Sequence, residues 1–149
     1  MDRNHLPLIR PLVAGVTVVG GLIGTAALLS DRVPIWLGLA RNRFDAPGWF
    51  PWALDDKAFH LALWLGITLM ATLAVRTTRV RLLVGGATAA AGLLIEYLQI
   101  RWTITRSFEI SDVAANVRGV YLGLLSGLVI GAVIDALENR RQTGSADAA

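Results

Sequence analysis

Four long stretches of this chain show no alternation of apolar and polar positions. Residues 11–29 are uncharged throughout, as are residues 59–75 and 119–134. Residues 82–100 are broken only by Glu96 and Gln99, and the last stretch extends upstream to Asp112. Each run is close to the roughly 20 residues a helix needs to cross a bilayer core. Backbone groups in lipid must be paired internally, so an unalternating run spans as a helix, whereas a β-barrel would require alternation. The pattern predicts an all-α integral membrane bundle of four transmembrane helices, over about 11–29, 59–75, 82–100 and 112–134. They form a single domain across residues 1–149, with residues 139–149 as a solvated, disordered tail.

Composition supports this class: the chain is 54% hydrophobic, with a mean hydropathy of +0.56. The first run follows Arg3 and Arg10, as a signal peptide would, but it exceeds the usual apolar core of about 7–15 residues and no clear cleavage site follows. It is expected to be an uncleaved span. The chain has no cysteine, which excludes disulfides, thiolate metal sites and a cysteine nucleophile.

Thirteen of the 14 basic residues are arginine. In a membrane chain that balance reports topology and anionic-lipid contact, and no basic run interleaved with aromatics suggests nucleic acid. With both termini in the cytoplasm, Arg3, Arg10, Arg76, Arg79, Arg81, Arg140 and Arg141 lie inside on short stretches. Arg32, Arg41, Arg43, Lys57, Arg101, Arg106 and Arg118 then lie outside on longer ones. The density rule favours this orientation. Trp36, Trp49, Trp52, Trp64 and Trp102 all fall toward the outer side, as an aromatic belt would, and residues 44–52 are expected along that interface.

This topology brings three polar clusters to one depth. Lys57 and His60 enter with the second helix, Glu96 and Gln99 leave with the third, and Asp112 and Asn116 enter with the fourth. Spacings of i,i+3 or i,i+4 put each pair on one helical face. Ionisable groups at membrane depth cost roughly 2.5–3.5 kcal/mol on insertion scales and mark function by default. Asp55, Asp56, Ser111 and Asp112 sit where helix N-caps belong. Lys57 at an N-terminus and Glu96 at a C-terminus oppose the helix dipole and therefore need partners. The nearest candidates are each other, or Arg106 for Glu96. His60, Glu96 and Asp112 are the candidates for chemistry, with Gln99 and Asn116 in support. A purely structural polar plug is the competing interpretation. Gly119, Gly123, Gly127 and Gly131 repeat at i+4 and define a smooth packing face, for which Gly20 and Gly24 in the first helix are a candidate partner.

The segments DKAFH (56–60), IEYLQ (95–99) and RSFEISDVAANVRGVYLG (106–123) resemble the pattern of the VanZ-like family of small bacterial membrane proteins. That pattern reads D-K-x-x-H, then E-x-x-Q, then R-S-x-x-x-x-D-x-x-x-N-x-x-G. The resemblance covers roughly residues 50–131 and implies functional positions at Asp56, Lys57, His60, Glu96, Gln99, Arg106, Asp112, Asn116 and Gly119. Arg118 stands where the family has an apolar or small residue. Membership implies a cell-envelope protein of the bacterial plasma membrane, and the family's namesake is associated with teicoplanin resistance.

Two functions fit these residues. In the favoured one, an outer polar pocket formed by Lys57, His60, Glu96, Gln99, Arg106, Asp112 and Asn116 binds an amphipathic or lipid-linked envelope molecule. Arginine suits contact with its anionic groups. The alternative is an intramembrane hydrolase or transferase, with His60 as base and Glu96 or Asp112 as acid or orienter. Its weakness is the nucleophile, because neither Ser107 nor Ser111 is marked as activated. His60, Glu96 and Asp112 lack tight metal-ligand spacing, so neither metal nor cofactor is expected. The expected partners are membrane lipids or a lipid-linked molecule, and a homo-oligomer is compatible with the sequence.

Overall fold

The computed structural model describes residues 6–32, 35, 39, 56–104 and 108–146. Its long elements are helices α1 (Leu6–Leu28), α2 (Asp56–Ala74), α3 (Thr78–Trp102) and α4 (Ile110–Ala146). All four are long and apolar enough to cross a membrane. Among the described residues there is no strand. The expected all-α bundle of four membrane-spanning helices is what the chain forms.

Its side-chain distribution is the reverse of a soluble protein's. Val16, Leu22, Leu83, Tyr121 and Val129 are exposed, whereas His60, Thr68, Thr72, Arg81, Glu96, Gln99, Asp112 and Asn116 are buried. Large apolar surface is stable outside only where the surroundings are themselves apolar. The apolar core is small, built on Leu28, Trp64, Ile95 and Val120. Lipid supplies no hydrophobic drive between helices, so close backbone packing must hold them together.

That packing centres on α2, which lies chiefly against α4 and also meets α1 and α3. A buried ridge on α2, His60, Trp64, Thr68 and Thr72, repeats at i+4. The glycines of α4 receive it. A Cβ on Gly123 would stand 2.5 Å from the Leu65 carbonyl oxygen and 3.0 Å from the Leu69 nitrogen. One on Gly119 would collide with the Leu61 carbonyl, and one on Gly127 would stand 2.7 Å from Thr72 Cβ. The partner of the glycine face is therefore α2. Gly24 instead makes room for Leu63 of α2, and a Cβ on Gly20 would meet nothing within 4 Å.

Two further expectations change. Trp64 is only 3% exposed and belongs to the core, because it sits on the buried ridge of α2 rather than on its lipid face. Trp102 is 67% exposed, consistent with the belt, while Trp36, Trp49, Trp52 and residues 44–52 lie outside the described residues. Helix α4 continues to Ala146, through most of the segment expected to be disordered. Residues 139–146 contain no proline, so nothing removes a backbone donor from the propagating helix.

Candidate functional site

Antiparallel connection puts the C-termini of α1 and α3 at the same end of the bundle as the N-termini of α2 and α4. At this end the three sequence clusters meet. Asn116 is the hub: its Nδ2 donates to Glu96 Oε1 at 2.9 Å and to the Gly92 carbonyl at 3.4 Å. Both donors of the amide are thus spent on acceptors, and Oδ1 faces His60 Nδ1 at 2.9 Å. The opposite amide orientation would aim an oxygen at the Glu96 carboxylate. His60 Nδ1 therefore carries a proton and donates to Asn116, with Glu96 Oε1 at 3.3 Å as a second acceptor. Across the ring, Nε2 faces Asp112 Oδ2 at 3.9 Å.

These groups are out of contact with solvent or lipid. The His60 and Glu96 side chains are 0% exposed and that of Asp112 is 6%. Glu96 Oε2 and Asp112 Oδ1 are buried without a hydrogen-bond partner among the described residues. Each such group carries a desolvation penalty of about 1–3 kcal/mol, more when charged. A helix register can be fixed by fully satisfied polar groups. A carboxylate oxygen left over, as Glu96 Oε2 is, is a cost that stability alone does not explain.

Lys57 sits at the rim with its side chain 44% exposed, 3.1 Å from Glu109 Oε2 and 3.5 Å from Asp112 Oδ1. The two dipole-opposed charges thus do not pair with each other. Lys57 pairs with carboxylates at the start of α4, and Glu96 with an amide and an imidazole. The cause is depth: Lys57 lies on the first turn of α2, nearly a full turn before His60. Arg106, the other proposed partner of Glu96, lies outside the described residues, as does Ser107. Gln99 is absent from the hub. It donates to the Leu28 carbonyl at 2.9 Å and so ties the end of α1 to α3. Ser111 is exposed and donates to Glu109 at 3.1 Å, away from His60.

Sequence reasoning missed two features. Glu109 was not singled out, and it holds Lys57 in place. At the opposite end, Arg10 and Arg81 both donate to the Val75 carbonyl at 3.1 Å and both grip Asp135 at 2.8 Å. Glu138 joins at 3.5 Å from Arg10 and from Arg76. Arg81 is 2% exposed. Gly131 makes this possible, since a Cβ there would stand 2.6 Å from the Arg81 Cζ. The fourth glycine of the repeat thus clears space for a guanidinium rather than for α2. Two arginines counted as topology signals are therefore structural clasps.

No protein-family model matches the chain, and no curated protein or solved structure does so. What fold and site define is a multi-pass α-helical membrane protein with a buried, incompletely satisfied polar cluster at one end of its bundle.

Proposed function

We propose that this chain is a VanZ-like cell-envelope protein of the bacterial plasma membrane, with both termini in the cytoplasm. Its polar cluster holds the head of an amphipathic or lipid-linked envelope molecule at the outer face. The supporting observation is a graded line of polar side chains. It runs from Lys57 at the rim (44% exposed) through Asp112 (6%) to His60 (0%). An anionic head meets the exposed ammonium first, while its acyl or prenyl tail stays against the apolar outer surface of the helices. A role in teicoplanin resistance follows if the bound molecule is the drug, whose acyl tail can enter the membrane, or its lipid-linked target.

One observation favours a second reading, an intramembrane enzyme acting on a lipid-linked substrate. The Nδ1 proton on His60 is fixed by Asn116, which leaves Nε2 as the basic nitrogen beside Asp112. That is the arrangement of a general base with an orienting partner. Ser111 is bound to Glu109, so water would be the nucleophile.

The test is lipid analysis of the protein purified in mild detergent beside its Glu96→Gln variant. Binding predicts a defined lipid held by the wild type and lost from the variant. Identical lipid profiles would overturn it.

A further inference from the structure

We propose that Asp56, His60 and Asp112 form a binding site for one divalent transition-metal ion, of the zinc or manganese class. The proposal stands on side-chain geometry and does not depend on the lipid-linked ligand.

Each of the three residues offers one ligand atom, and these atoms lie within 4.8 Å of one another. Two ligands about 2.1 Å from a tetrahedral ion stand roughly 3.4 Å apart, so side-chain rotation of the carboxylates closes the set. The backbone already favours it. Asp56 and His60 are four residues apart on α2 and share a helical face, while Asp112 comes from the facing turn of α4.

Two independent observations point the same way. First, the hydrogen bonds of Asn116 fix the His60 tautomer, with Nδ1–H donating and Nε2 directed at Asp112. Metal-bound histidines show this feature: one nitrogen held by an outer hydrogen bond, the other presenting its lone pair. Second, Asp112 Oδ1 is buried without a hydrogen bond, although its side chain is 94% shielded. Lys57 stands 3.5 Å away, but it is closer to Glu109 at 3.1 Å and can remain there when a cation takes Asp112. Two carboxylates and an imidazole suit zinc or manganese better than the all-oxygen cages preferred by calcium or magnesium. The set differs from the one considered from sequence, because Asp56 replaces Glu96, which is engaged by Asn116.

Tag-free protein in detergent, stripped with chelator, should be titrated calorimetrically with zinc chloride and then with manganese chloride. The expected result is saturable binding of one ion per chain, with a higher melting temperature. Asp56→Asn should weaken binding on the order of 100-fold, since a ligand is lost outright where even outer-shell changes cost 10–100-fold. Asp56 is only half-buried, so this variant should still fold, which gel filtration and circular dichroism check. His60→Gln should behave likewise and excludes His5 as the source of binding. Glu138→Gln, at the opposite end of the bundle, should bind as tightly as wild type. Absence of saturable binding by the wild type to either metal, or undiminished binding by folded Asp56→Asn, would overturn the proposal. Either result leaves the lipid experiment unaffected.

Discussion

Asn116 and Glu96 are joined across α4 and α3 by a hydrogen bond of 2.9 Å, and that bond sets the protonation geometry of a third residue, His60. Removing the amide leaves a carboxylate and an imidazole facing each other without their shared partner. Asn116→Ala should therefore destabilise the bundle by about 1–3 kcal/mol, the cost of stranding buried polar groups. Chemical unfolding in mixed micelles measures it. A change below about 0.5 kcal/mol would mean that the cluster rearranges without its hub.

The glycines of α4 are not equivalent to those elsewhere. Gly123→Ala presses a methyl into the α2 backbone at Leu65 and Leu69, which cannot rotate away. A loss of about 1–3 kcal/mol is expected, as for overpacked cores. At Gly86 of α3 a Cβ meets nothing within 4 Å. Gly86→Ala should gain up to about 1 kcal/mol of helix propensity. Thermal unfolding of the two variants side by side gives the comparison, and equal losses would contradict the packing described.

At the far end, Arg81 uses two directions of its guanidinium, Nε toward Val75 and Nη2 toward Asp135. A lysine cannot reproduce that fork. Arg81→Lys should thus lose most of what Arg81→Ala loses. Arg81→Ala and Asp135→Ala should couple by about 0.5–3 kcal/mol in a double-mutant cycle. Asp135 is 30% exposed, which places the value toward the lower end. Strict additivity of the two single changes would show that the clasp contributes nothing.

The sequence was most legible where lipid dictates the pattern. Unbroken apolar runs can only be helices at that depth, so the four spans, and the single layer reached by His60, Glu96 and Asn116, followed from connectivity and helical spacing. Pairings between helices were not legible. Lys57 meets Glu109 rather than Glu96 because of a difference in depth of less than one helical turn, which spacing along one chain does not encode. Arg10 and Arg81 look like ordinary topology arginines. Only the notch at Gly131 and the position of Asp135 one turn beyond it turn Arg81 into a buried contact. Trp64 resembled a belt residue because periodicity alone does not say which face of α2 meets α4.

Orientation is tested in this cysteine-free chain by single cysteines. A cysteine at position 47 should react with an impermeant maleimide on intact cells. One at position 78, at the start of α3, should react only after permeabilisation. The reverse pattern would move the His60 end to the cytoplasm and remove the envelope ligand from reach.

The central claim is that the cluster around His60 is a site and not a plug, and Glu96→Gln separates the two. Glutamine keeps the shape and leaves an oxygen able to accept from Asn116, while removing a buried charge whose Oε2 has no hydrogen bond. Residues kept for function at a cost in stability can be replaced with no loss of stability, and sometimes with a gain. Melting temperature and retained lipid should be measured on one preparation of wild type and variant. A site predicts an unchanged or higher melting temperature together with loss of the bound lipid. A lower melting temperature with the lipid still bound would contradict the account.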